Sequence, residues 1–277
     1  MRRSSLALGL AILALLAVDA GRDAARGEAP LRTGTIIMGV PRERFVVLGA
    51  DRLWTNALPK MDDGLSDRQG REVKIAVHDS LPLAVAVAGI ATLGPEQDTV
   101  EHIRGLIAPL DASRLDFDTI VELLRTDLLE RLQAIREPAK RALARNPSDA
   151  AAQIRLKVAH LTLLVAYVAG GRATLGSLEL GDRWTAKLAA PPRGAVAWPD
   201  ALAPFYDQAP YAGATAMFKP SVQEPAKLGE HVRRVIEAGI REDARLYQGA
   251  DRHVGGPVDV VVIDAKGARC VPPCAPS

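Results

Sequence analysis

Two short apolar runs, 35–40 (Thr-Ile-Ile-Met-Gly-Val) and 45–50 (Phe-Val-Val-Leu-Gly-Ala), are parted only by the charged turn Pro41-Arg42-Glu43-Arg44. Runs this close read as a β-hairpin, and the lack of polar alternation implies that both faces of both strands are buried. This requirement constrains the fold more than any other feature. A sheet covered on both faces must be an inner layer, with apolar surface stacked on either side.

The rest of the chain supplies those layers. After a polar, turn-rich stretch at 54–70, strand-like runs at 72–77 and 81–88 flank the turn His78-Asp79-Ser80. A second pair, 161–168 and 173–180, flanks Ala169-Gly170-Gly171-Arg172, and a last strand is expected at 258–264. Between the two sets the period changes to that of a helix. One helix is expected to start at Gly94, with Pro95 and Glu96 in its first turn and Val100, Ile103, Leu106 and Ile107 on one face. A second, at 116–135, carries Phe117, Ile120, Val121, Leu124, Leu128, Leu129 and Leu132 at helical spacing. The charged, alanine-rich stretch 137–157 extends or caps it with a solvated face. Residues 191–210 read as a loop, and a last helix at 225–247 presents Leu228, Val232, Val235, Ile236 and Ile240. Hairpins, two helices, hairpins, helix, strand: this order implies an α+β fold, and a four-layer αββα sandwich buries both sheets.

Charge and the chain ends bound the partners and the compartment. The 35 basic and 33 acidic side chains nearly cancel, so no basic stripe marks a nucleic-acid surface. Arg2 and Arg3 precede an apolar run from Leu6 to Val18 and a small-residue site, Val18-Asp19-Ala20, which reads as a signal peptide over 1–20. A periplasmic or secreted protein is expected, in contact with a membrane only through an uncleaved signal. The Ala-, Arg- and Gly-rich segment 21–34 reads as a spacer or propeptide, and the folded domain as 35–277. Cys270 and Cys274 are the only cysteines. An oxidising compartment permits a bridge between them, two exposed thiols being the alternative, and no His or carboxylate cluster beside them suggests a metal. No cofactor or metal is expected.

Three stretches, in this order, resemble the proteasome β-subunit family. The first is Gly34-Thr35 opening a strand, followed by Val46-Val47-Leu48-Gly49-Ala50-Asp51-Arg52. The second is Lys74-Ile75 leading into Ala88-Gly89, and the third is Asp251-Arg252-His253-Val254-Gly255-Gly256 before the last strand. The resemblance implies a sandwich of N-terminal-nucleophile hydrolase type and a threonine-type peptidase acting on peptides or unfolded chains. It also implies a homo-oligomeric ring.

In that family a Gly-Thr bond is cut during maturation, which implies that Thr35 becomes the nucleophile. A threonine at a new chain end carries its own base, the α-amine, with a reference pKa of about 7.7 to 8.0. Lys74 is the expected buried cation that holds this amine unprotonated, and Asp51 its partner. The Asp51 to Lys74 interval is longer than the family's, which leaves Lys60 as a rival. Gly89 is the expected oxyanion donor through its N–H, and Asp251 the acidic residue that orients the amine. Two departures stand out: Val254 replaces a serine, and Gly213-Ala214 replaces a Ser-Gly, so weakened or altered activity is expected. His253 reads as a solvated loop histidine. A small-molecule amide hydrolase using Thr35, and a catalytically silent ring or scaffold subunit, are the competing readings.

Overall fold

The computed structural model describes residues 35–53, 73–94, 97–111, 115–188, 195–197, 222–246 and 254–273. The expected signal and spacer (1–34), the rival Lys60, Gly213-Ala214, Asp251 and His253 lie outside the described residues.

Twelve strands and four helices are present among the described residues. The strands are β1 (Ile37–Pro41), β2 (Phe45–Asp51), β3 (Ile75–Val77), β4 (Leu83–Gly89), β5 (Thr92–Gly94), β6 (Gln97–Asp98), β7 (Leu161–Ala169), β8 (Arg172–Leu180), β9 (Trp184–Leu188), β10 (Ala195–Ala197), β11 (Val258–Asp264) and β12 (Gly267–Cys270). The helices are α1 (Thr99–Ile107), α2 (Phe117–Arg145), α3 (Ala150–Val158) and α4 (Pro225–Leu246). One five-stranded sheet has the order β10-β1-β2-β11-β12 and the other β3-β4-β7-β8-β9, and β5 pairs with β6 in a small ribbon. All pairings are antiparallel.

Every residue of β1 and β2 is buried, as their unbroken apolar runs require. Their alternate side chains enter two different cores. Ile37, Val46, Leu48 and Ala50 meet Ala84, Ala86, Leu164, Ala166 and Leu175 of the other sheet, which makes a core between the sheets. Ile36, Met38, Val40 and Val47 face the other way, onto Leu228, Val232, Val235 and Ile236 of α4. The outer face of the second sheet packs Val85, Val87, Leu161, Leu163 and Leu178 against Ile103, Ile120, Leu124, Leu128 and Leu132 of α1 and α2. The result is an α+β sandwich of two antiparallel sheets with helices on the outer face of each. Gly49 lets α4 come close, because a Cβ there would lie 2.6 Å from Val232 and 2.7 Å from Ile236.

The structure corrects several expected boundaries. The first helix begins at Thr99 rather than Gly94: the Asp98 carboxylate accepts from the amides of Val100 and Glu101 at 2.8 and 2.9 Å and caps it. The second, capped by Asp116, runs on to Arg145 through Pro138, so the first part of 137–157 extends it, as one of the two expected roles had it, with Arg136 and Ala139 continuing its buried face. A separate helix, α3, follows it. Within 191–210, expected to be loop, β10 pairs with β1, and β9 and β12 are edge strands that three to five residues of weak pattern did not announce.

Candidate active site

The register of the first hairpin sets the site. Ile37 pairs with Ala50, so Asp51 at the end of β2 lies beside the entry to β1. There its amide donates to the Ile36 carbonyl at 3.2 Å, and its Oδ1 accepts from the Ile36 amide at 3.0 Å. Thr35, one residue earlier, is 1% exposed. The hairpin thus brings the expected nucleophile to its expected acidic neighbour by local pairing alone.

The third member comes from the other sheet. Lys74 immediately precedes β3, is wholly buried, and donates from Nζ to Thr35 Oγ1 at 2.9 Å and to Asp51 Oδ1 at 2.9 Å. Nζ also donates to the Leu53 carbonyl. These three acceptors among the described residues suit an ammonium, which carries three donors and no lone pair. Asp51 is as fully engaged: besides Lys74 and the Ile36 amide, its Oδ2 accepts from the amides of Gly255 at 2.9 Å and Leu53 at 3.3 Å.

The electrostatics follow from this burial. Desolvation pushes the Lys74 ammonium below its ordinary value, and the charge and hydrogen bond of Asp51 oppose it. Desolvation likewise pushes the Asp51 carboxyl up, against the Lys74 charge and the Gly255 and Ile36 amides. The donors gathered on Asp51 favour its ionised form. A cation 2.9 Å from Thr35 Oγ1 also favours loss of the hydroxyl proton, which is what a nucleophile needs.

Gly89 closes β4 at the same end of the sandwich, with φ at +115°. A Cβ would lie 2.2 Å from the His160 carbonyl oxygen, so only glycine fits there. Amides in a strand alternate between its two edges. Val87 donates to the Lys74 carbonyl at 2.9 Å and Ile90 to the His160 carbonyl at 3.0 Å, so the Gly89 N–H is directed to the β3 edge, one pleat beyond the Lys74 carbonyl.

The stretch Val254-Gly255-Gly256 does more than turn the chain. Gly255 donates to Asp51 and its carbonyl accepts from the amides of Arg52 and Leu53 at 3.1 and 3.0 Å. Arg52 in turn forms a buried bidentate pair with Asp259 at 2.6 and 2.9 Å. Val254, where the resemblance led to the expectation of a serine, is fully buried in the core under α4, and the position contributes apolar packing. Asp243 on α4 is also fully buried and accepts from the Val254 amide at 3.3 Å.

Lys74 therefore joins Thr35 and Asp51 by touching both, Gly89 lies at the same end, and Asp251 lies outside the described residues. Sequence reasoning did not single out the Gly255 amide, the Leu53 carbonyl, the Arg52–Asp259 pair or Asp243. For Asp243 a signal existed: it follows Ile236 and Ile240 at helical spacing, which puts a carboxylate on an apolar stripe. Backbone contributions carry no such signal. No family model matches the chain, and no curated protein matches it.

Proposed function

We propose that this chain is an exported threonine-type hydrolase of the proteasome β-subunit family, with the αββα sandwich of N-terminal-nucleophile enzymes and Thr35 as nucleophile. One observation carries the reading: a fully buried ammonium, Lys74, held 2.9 Å from both the Thr35 hydroxyl and the Asp51 carboxylate. Burying an ion pair is costly and seldom favoured for stability alone. Placing one against a hydroxyl at the start of a strand has a chemical purpose.

In the uncut chain the Thr35 hydroxyl attacks the Gly34 carbonyl carbon. The bond to the Thr35 nitrogen breaks, that nitrogen takes up the proton, and water hydrolyses the resulting ester. Thr35 is left with a free amine and Gly34 with a carboxylate. In turnover the amine takes the hydroxyl proton, Oγ1 attacks a substrate amide carbon, the proton passes to the leaving nitrogen as the amide bond breaks, and water then hydrolyses the acyl ester to free the acid and restore Thr35. The Gly89 N–H, directed to the β3 edge, donates to the oxyanion. Lys74 keeps the amine unprotonated, and Asp51 holds Lys74.

Peptides or unfolded chains are the proposed substrates and a homo-oligomeric ring the proposed assembly, with Asp251 orienting the amine. Intact mass tests the reading: wild-type protein purified after export should begin at Thr35, and Thr35→Ala should keep Gly34 joined. Normal processing of Thr35→Ala would assign the cleavage to another protease, and wild-type protein that retains residue 34 and hydrolyses no peptide or small amide would refute the function.

A further inference from the structure

Asp51 cannot hold Lys74 in place unless something holds Asp51. Its own element ends at that residue, so β2 offers no further ladder beyond it. The amides that fix its outer oxygen come from Leu53 and Gly255, and Gly255 also binds the chain at Arg52 and Leu53 through its carbonyl. The outer oxygen of the acidic residue is therefore held most closely by one dipeptide, Val254-Gly255, in the connection that leads from α4 to β11.

This dipeptide is held from two sides. The Val254 side chain is packed into the core with Ile36, Met38, Val232 and Ile236. Its backbone amide donates to Oδ2 of Asp243, a carboxylate with no exposed surface in the last turns of α4. Apolar packing resists withdrawal of the side chain but leaves rotation of the peptide plane soft. The bond to Asp243 is long, at 3.3 Å, but it is directional, and so it biases the plane that packing alone leaves soft. The next peptide plane, linked to it through the packed Val254, carries the Gly255 N–H that donates to Asp51.

We propose that Asp243 is a positioning residue for this site: through the Val254 amide it sets the Gly255 N–H on Asp51, and through Asp51 it sets Lys74 against the Thr35 hydroxyl. The inference rests on the function proposed above. It extends the site from the strand ends into α4, and it accounts for a carboxylate on the buried face of an amphipathic helix.

The consequences have a sign. If the Gly255 amide moves away, the Asp51 charge is less satisfied, and it favours the protonated form of the Thr35 amine. Activity should then rise at a higher pH. Substrate contacts are untouched, so KM should stay constant while kcat falls.

Asp243→Asn keeps an uncharged acceptor of the same shape, and Asp243→Ala keeps none. With a fluorogenic peptide, kcat should fall about threefold in Asp243→Asn and about tenfold or more in Asp243→Ala. KM should remain within twofold, and the rising limb should move alkaline in the same order. Wild-type kcat and pH profile in Asp243→Ala would overturn the proposal, as would a loss confined to KM. If Asp243→Ala does not fold, Asp243→Asn decides: a lowered kcat with a displaced limb supports the role, and an unchanged kcat and limb refutes it. An active wild-type enzyme with Asp243 variants of unchanged kcat and pH profile sinks this inference alone, whereas an uncut and inactive wild-type protein sinks the function and this inference with it.

Discussion

Replacing Lys74 by alanine removes the cation on which the proposed chemistry turns, and its effects on stability and on rate can be worked out separately. At 2.9 Å from Asp51, and with an effective dielectric constant of about 20, the gross attraction of the pair is about 6 kcal/mol. Desolvation offsets most of that in the intact protein. Removing one partner, however, leaves an uncompensated buried carboxylate, which typically costs about 3 to 5 kcal/mol. Against a total stability of about 5 to 15 kcal/mol, Lys74→Ala should melt at a much lower urea concentration. The double variant Lys74→Ala/Asp51→Asn removes the stranded charge and should regain much of that loss.

Activity should not recover with it. Loss of the cation, with Asp51 still charged, should raise the Thr35 amine by about two pH units. At the pH where half the amines had been free, on the order of one in a hundred would then be free, a loss of about fiftyfold. Loss of the charge beside Oγ1 brings the fall to roughly a hundredfold or more. The assay is hydrolysis of a fluorogenic peptide followed across neutral and alkaline pH, with Lys60→Ala as control. The part due to the amine should return at alkaline pH and the rest should not. If Lys74→Ala is cut after Gly34 and works at the wild-type rate with an unmoved profile, while Lys60→Ala is inactive, the placement of the cation is wrong.

Two further outcomes are expected. Gly89→Ala should lose at least about 2 kcal/mol in a urea melt, because alanine resists φ of +115° and its Cβ would meet the His160 carbonyl at 2.2 Å; an unchanged midpoint would refute this turn geometry. Cys270 is disulfide-bonded and Cys274 is the only other cysteine, so exported protein should take up no alkylating agent without reductant, and protein kept in the cytoplasm should take up two equivalents. Reduction should cost about 2 kcal/mol or less for so short a loop, since Arg233 also holds the carbonyls of Val271, Pro272 and Pro273; free thiols in the exported protein would end the idea.

The unbroken apolar runs at 35–40 and 45–50 were enough to require an inner sheet, because each residue of such a strand must be covered on its own side. The placing of Asp51 beside Ile36, the residue after Thr35, was legible for a related reason. A four-residue turn between two runs leaves little freedom of register, and the register alone carries Asp51 to the entry of β1. The helical stripes on α2 and α4 were equally legible, since an interval of three or four residues reports a buried face wherever it occurs.

The rest depended on contacts between residues far apart in the chain. Lys74 and Lys60 stand on the same side of Asp51 in the sequence, and no local rule chooses between them. Packing of the second sheet against the first brings Lys74 within 2.9 Å of Asp51 and Thr35. The Gly255 amide, the Leu53 carbonyl and the Val254 amide belong to the backbone, which has the same chemistry at every residue, so their roles exist only once the chain has folded around Asp51. Sequence by itself determined which residues must be buried and which hairpin partners must meet, because those follow from side-chain period and turn length. Tertiary structure decided which buried charge faces which, because a carboxylate and an ammonium taken out of water are stable only where the three-dimensional fold supplies every donor and acceptor they have lost.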